Sequence, residues 1–334
     1  MHLLAAQPGG IADGSEAVDL AQSPADMVVL SAADSELSCL AAAYRSLAGD
    51  GFPSLRLANL LHLGHNMSVD LYVESVIGHA RLVVVRLLGG RGYWPYGVEQ
   101  VAGVCAEREI PLALLPGDDQ PDAELSALST VGGEAGHRLW QYCVHGGADN
   151  AAEFLRYAAG LIGFATPWRE PRPLLRAGLY RPGAAESTLE AIRGQWTAGA
   201  PIAALVFYRA LVQAGNLAGV DALVGGLAAA GLNPLAVFVS SLRDPVAAAI
   251  LEEVLAAAPP DVVLNCTGFS ATPPGAASNA KGGILAETDC PVLQVVFAGS
   301  SAEAWRQGLG GLAARDIAMN VALPEVDGRI ISRA

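Results

Sequence analysis

Residues 261–275 read DVVLNCTGFSATPPG. Asp261 leads into Val-Val-Leu-Asn, a short apolar run bounded by turn formers, which predicts a strand inside a parallel sheet. At Thr267-Gly268-Phe269 the run breaks into a loop rich in Pro and Gly. In open α/β sheets, ligands sit outside the carboxyl ends of the strands, where connecting loops gather. A loop leaving such an end with Thr267, Gly268 and Ser270 offers hydroxyl and backbone N–H donors. The same residues also suit an ordinary strand-to-helix connection.

Working outward, apolar runs and helical patterns alternate along the chain. Short buried strands are predicted at 2–6, 27–31, 55–60, 82–88 and 110–115, with helices clearest at 68–79 and 96–107. Ser68 is the expected N-cap of the first of these helices, with Asp70 in its first turn. Two more helices are predicted at 134–145 and 151–162. The stretch 166–175, TPWREPRPLL, holds three prolines and reads as a semi-stiff linker. Beyond it the alternation resumes. Strands are expected at 178–180, 203–208, 235–240, 262–265, 292–297 and 318–323, and helices at 184–196, 217–230, 245–257 and 302–308. Asp244-Pro245 is a strong helix start. The expected fold class is α/β: two doubly wound, mainly parallel-sheet, flavodoxin-like domains in tandem, with extra helices after the first. The expected boundaries are 1–165, a Pro-rich linker at 166–176, and 177–334. An apolar last strand with no closing element predicts a second domain incomplete at its C-terminal end, in a natural chain that continues.

The 334 residues suit two cores, and 52% of them are hydrophobic. A formal net charge of −13 argues against nucleic acid and against an anionic membrane surface. The mean hydropathy is +0.37, yet the most apolar region, 214–242, is interrupted by Asp221, Asn233 and Pro234, so no spanning helix is expected. Five scattered cysteines without a C-x-x-C predict reduced thiols and a cytoplasmic protein. Lys281 is the sole lysine, and Gly282 follows it. A phosphate loop needs Lys directly before Ser or Thr, so no ATP site of that kind is expected in this chain.

Several constellations bear on chemistry. His62 and His65, in H-L-G-H, fall in an expected loop and more simply pack or hydrogen-bond there than hold a metal. His137 and His145 lie about 12 Å apart along one helix, too far to share an ion. Gly9, Gly10 and Gly14, and likewise Gly89, Gly90 and Gly92, follow strands without forming G-x-G-x-x-G. Glu325 and Asp327, two apart, would share a face if extended and hold a cation or proton; a solvated turn is the simpler reading. Tyr208 with Arg209, and Ser240 with Ser241, end successive strands and, with Thr267, would form a polar rim, where an arginine suits ligand carboxylates; surface capping is the simpler reading.

The stretch 261–275, with 321–330 (VALPEVDGRI), resembles the large subunits of the tetrapyrrole metal chelatases. Residues 12–37, 61–74 (LHLGHNMSVDLYVE) and 206–227 place it nearer the cobalt-inserting branch than the magnesium one. The resemblance runs through essentially the whole chain, as the N-terminal portion of far longer subunits. It implies ATP-dependent insertion of cobalt into hydrogenobyrinic acid a,c-diamide on the aerobic route to cobalamin, with Co²⁺ as substrate. ATP would be bound by two partner subunits, CobS and CobT, and this chain would hold no cofactor. The matching motif positions, expected to bind substrate or support the fold, are Arg209, Thr267, Gly268, Phe269, Glu325 and Asp327, with Ser240 beside them. His65, Ser68 and Asp70 match another motif of the family. A magnesium-chelatase-type subunit and a stand-alone two-domain small-molecule-binding protein remain alternatives, as does an enzyme using Gly89–Gly92.

Overall fold

MVVLS, Met27–Ser31 (β1), has five buried residues in a row, as a strand covered on both faces requires. In the computed structural model, which describes residues 16–49, 51–184, 187–269, 284–299, 301–307 and 311–326, this strand is central to a four-stranded parallel sheet. Asp34–Leu47 (α1) follows, then Leu55–Asn59 (β2), Asn66–Ser75 (α2), Leu82–Leu87 (β3), Pro95–Glu107 (α3) and Leu112–Pro116 (β4). The strand order is β2-β1-β3-β4, the flavodoxin-like order. Val28, Leu30, Val83 and Val85 pack towards α2 and α3, while Met27, Val29, Leu82 and Val84 pack on the opposite face. That second face is covered by α1 and by two helices after Ala123–Leu128 (α4), namely Gly133–His145 (α5) and Gly147–Leu161 (α6). The expected strand at 2–6 and the turn at Gly9–Gly14 lie outside the described residues.

The chain divides into two units, the first running to Leu174 and taking in Gln213–Asn216. Residues 166–176 contain no helix or strand, yet they are a strap fastened to α5 and α6. Glu153, 3% exposed, accepts the Arg169 N–H at 2.9 Å. Asn150 exchanges hydrogen bonds with the backbone of Arg172, both 2.9 Å. The Trp168 ring meets Tyr157 edge-on at 4.8 Å, and the Arg138 guanidinium lies over both rings. Proline keeps the segment out of regular structure, and side chains of α5 and α6 take up its backbone groups.

The second unit repeats the architecture. Ile202–Tyr208 (β6, after Ala177–Tyr180, β5, and Leu189–Arg193, α7) pairs in parallel with Asn233–Val239 (β7) and Val262–Asn265 (β8), and β8 pairs with Val292–Gln294 (β9). Arg209–Gln213 (α8) and Ala218–Ala229 (α9) link β6 to β7, and Pro245–Ala257 (α10) links β7 to β8. The order β5-β7-β6-β8-β9 is again flavodoxin-like, with β5 added antiparallel at one edge. Gly178 of β5 faces Phe238 across that pairing, and a Cβ there would stand 2.8 Å from the tip of the Phe238 ring, which a larger residue would have to push aside.

Four expectations need correction. The strand expected at 318–323 is helical: Ala314–Ile317 (α12, after Ala302–Gln307, α11) passes through a π-turn, Ala318–Ala322, into Leu323–Val326 (α13). A six-residue apolar run cannot by itself choose between strand and helix, and Ala, Met and Leu favour helix. Ser68 is not the cap of α2. His65 is, its Nδ1 accepting the Met67 N–H at 3.1 Å, while the buried Ser68 hydroxyl accepts the Val18 N–H at 2.7 Å. That helix stops at Ser75, and a 3₁₀ turn, Ile77–His79, completes the expected span. The helix expected at 184–196 is confined to α7, ending at Gly194.

Candidate functional site

In the second unit the chain runs from β6 outward to β7 and then returns to the far side of β6 at β8. The strand order therefore reverses between β6 and β8, and a crevice opens outside their carboxyl ends. Tyr208 ends β6 and Asn265 ends β8. The Tyr208 hydroxyl accepts two backbone N–H groups, from Gly268 at 3.1 Å and Phe269 at 3.0 Å. Asn265, 4% exposed, accepts both the Thr267 N–H at 3.0 Å and the Thr267 hydroxyl at 2.7 Å. Gln294 of β9 donates to the Thr267 carbonyl at 3.0 Å. Three side chains from three strands thus fix the turn that the sequence singled out. The Thr267 hydroxyl is buried and spent on Asn265, so Thr267 shapes the edge from within. Phe269, next along the turn, is half-buried. Ser270 lies outside the described residues.

Arg209 opens α8 directly after β6, half-buried, with Nε donating to the Leu175 carbonyl at 2.9 Å. Ser240, just beyond β7, donates its hydroxyl to Asp244 Oδ2 at 2.8 Å. The same oxygen takes Arg176 at 2.8 Å, and Asp244 Oδ1 caps α10 through Val246 and Ala247. The Arg176 guanidinium and the Ser240 hydroxyl together hold the Asp244 carboxyl down at about 2. Ser240 therefore serves the cap of α10. Replacing Asp244 with Ala is expected to cost about 1–2 kcal/mol. This aspartate is easier to deprotonate folded than at its ordinary 3.8, so its contribution is full above that value and fades as pH falls towards 2. Urea denaturation near neutral pH and again at about pH 3 checks both parts: the gap between wild type and Asp244→Ala narrows in acid.

The structure also brings the C-terminal helical segment to this turn. A Cβ placed on Gly268 would sit 3.6 Å from the Pro324 ring and 3.5 Å from the Met319 carbonyl. Glu325, next to Pro324, is exposed on α13. It stands in helical backbone, so the extended geometry expected to align it with Asp327 does not hold at Glu325; Asp327 lies outside the described residues. Asp316 of α12 is 5% exposed and accepts the Gly299 N–H at 2.8 Å, while its second carboxylate oxygen is buried without a hydrogen-bond partner among the described residues. The sequence places Tyr208 beside Arg209 at the end of an apolar strand, on the expected polar rim, but does not place its hydroxyl on the turn at 267–269; Asp316 carried no signal in the sequence.

The other candidates serve the fold. Asp70 takes the Tyr96 hydroxyl at 2.7 Å, tying α2 to α3. His62 is exposed on a 3₁₀ turn, and His137 stacks edge-on with Trp140 at 5.5 Å. Among the described residues no group of three or more His, Cys, Asp or Glu is placed to hold a metal ion, and no helix is long and apolar enough to cross a membrane. None of the five cysteines is in a disulfide. Burial pushes Cys39 up to about 11 and both Cys105 and Cys266 to about 12, so Cys266 beside the turn is an inert thiol.

Each unit is thus a doubly wound α/β body of the class that binds ligands at a strand-order switch. Residues 140–334 match the family described as CobN/Magnesium Chelatase, and the chain belongs to that family. It is 48% identical to a protein of Sinorhizobium sp and 45% identical to one of Pseudomonas aeruginosa, both named aerobic cobaltochelatase subunit CobN, over the whole of this chain. It spans about a quarter of the length of these relatives, 26% in each case. A solved structure, the catalytic subunit of cobaltochelatase from Mycobacterium tuberculosis, superposes with a TM-score of 0.65 at 30% identity, covering 91% of this chain and 24% of that one.

Proposed function

We propose that this chain is the N-terminal portion of the large, corrinoid-binding subunit of an ATP-dependent cobaltochelatase. The complete subunit would insert Co²⁺ into hydrogenobyrinic acid a,c-diamide during aerobic cobalamin biosynthesis in the cytoplasm, with CobS and CobT supplying ATP hydrolysis. The observation that carries the reading is identity of 45–48% over this whole chain to relatives bearing the cobaltochelatase name. The single lysine, placed before glycine, agrees with nucleotide hydrolysis on other polypeptides.

Metal insertion strips water from Co²⁺ and removes protons from the inner-ring nitrogens, which calls for a general base and for oxygen or imidazole ligands near the ring plane. The edge of the second unit suits a different task. Arg209 offers a guanidinium to a carboxylate arm, the Gly268–Phe269 turn offers backbone and an aromatic ring, and Glu325 stands one residue beyond the Pro324 contact. This edge is a wall of the macrocycle site, and the base belongs to the rest of the subunit. Corrinoid binding read by quenching of tryptophan fluorescence tests this: the 334-residue chain should bind far more weakly than the complete subunit, and equal affinity would place the whole site here. In the complete subunit, Arg209→Ala should weaken corrinoid binding about three- to tenfold, the loss of one charge-assisted contact at a partly hydrated site. An unchanged affinity would remove Arg209 from the wall.

A further inference from the structure

The first unit has its own strand-order switch, between β1 and β3, and a cavity of about 260 Å³ opens there. Its floor is a buried ion pair. Arg86, on β3 opposite Ser31, bonds to Glu36 and also donates to the carbonyls of Pro116 at 3.2 Å and Gly117 at 3.0 Å. Glu36 accepts the Ser31 hydroxyl at 2.6 Å, and Ser31 Oγ in turn accepts the Ala33 N–H at 3.1 Å. The walls are Ala32, Ala33, Leu88 and the half-exposed ring of Tyr93.

The balance of donors and acceptors on that floor selects the ligand. The named bonds of Arg86 use one N–H on each of its three nitrogens, so two of its five N–H groups are left, while Glu36, which takes Arg86, Ser31 and the Cys143 thiol, still has a carboxylate lone pair to give. The floor can therefore both donate and accept a hydrogen bond. An anion would meet the Glu36 carboxylate, which already stands where a phosphate would rest against the start of α1. A cation would meet a carboxylate whose charge Arg86 has cancelled. We propose that this cavity is a binding site for a small neutral molecule with an apolar body and a group that both donates and accepts hydrogen bonds, of the primary-carboxamide type. The site is separate from the macrocycle wall and does not depend on that reading.

Benzamide, benzoate and benzylammonium share a shape and differ in charge, so they serve as probes against the ¹⁵N-labelled 334-residue chain in ¹H–¹⁵N spectra. Benzamide is expected to give saturable shifts at the amides of Ser31, Ala33 and Gly117 with a Kd of about 1 mM. Both charged analogues should bind about tenfold more weakly or worse. Ala32→Leu, which fills the cavity without touching the ion pair, should abolish the shifts. If that variant's spectrum shows it unfolded, Tyr93→Ala, at an exposed wall position, is read instead and should weaken binding severalfold. No saturable shift with benzamide, equal or tighter binding of either charged analogue, or undiminished binding in the folded wall variant would overturn the proposal.

Discussion

Glu36→Ala is expected to lower the stability of the first unit by about 3–5 kcal/mol, although Glu36 lies outside the main apolar clusters. The reason lies in what the substitution leaves behind. The Arg86 side chain is 9% exposed and that of Glu36 14%, on the central part of the sheet where β3 runs beside β1. Burial opposes the charge on Arg86, and the Glu36 carboxylate more than compensates, keeping the guanidinium even more firmly protonated than usual. Removing the carboxylate leaves that cation without its counter-charge and frees the Ser31 hydroxyl from its acceptor. The paired replacement Glu36→Leu with Arg86→Met should behave very differently. With both charges gone, stability should return to within about 2 kcal/mol of wild type, or exceed it. Urea denaturation followed through the tryptophan fluorescence of the first unit, which holds Trp94, Trp140 and Trp168, measures both. A single variant within about 1 kcal/mol of wild type would mean that water reaches the pair readily and that it is no buried floor.

This contrast also explains what the sequence could reveal. β1, β6 and β8 were legible because unbroken apolar runs between turn formers have few other uses, and α10 because Asp-Pro is both a cap and a start. The carboxyl-end turn at 267–269 was legible by its composition. The partners that fix things across the fold were not. Glu36 meets Arg86 and Ser68 meets Val18 across fifty residues of chain, and no local period records such a pairing. α1 went unnamed although its buried side, Cys39, Leu40 and Ala43, recurs at helical spacing. His65 displaced Ser68 as a cap against ordinary preference, since Ser68 was already committed to a tertiary hydrogen bond. Composition likewise identified the strap at 166–176 as irregular, but its attachment depends on Glu153 and Asn150, which present themselves only once α6 is formed.

The same distinction between local signal and tertiary partner gives the second large effect, at Tyr208. Tyr208→Phe keeps the ring and removes a single oxygen, yet that oxygen accepts two backbone N–H groups of the site turn. Gly268 is buried, so its N–H loses an acceptor that water cannot readily replace; Phe269 is half-buried, and its N–H is more easily rehydrated. The expected cost is about 2–3 kcal/mol in the second unit, mostly from Gly268. Asn265 would still hold Thr267, so the loss should be confined to the outer half of the turn. Hydrogen exchange reads this directly: protection at the Gly268 and Phe269 amides should fall by about tenfold or more while that at Thr267 holds. If the turn is a wall of the macrocycle site, the complete subunit carrying Tyr208→Phe should lose more corrinoid affinity than one carrying Arg209→Ala, because a whole segment shifts where the arginine change deletes one contact. Unchanged amide protection would show that other contacts fix the turn and that the hydroxyl is incidental. Lost protection with full corrinoid affinity would separate the turn from the site, leaving Tyr208 a structural clasp and moving the wall elsewhere in the subunit.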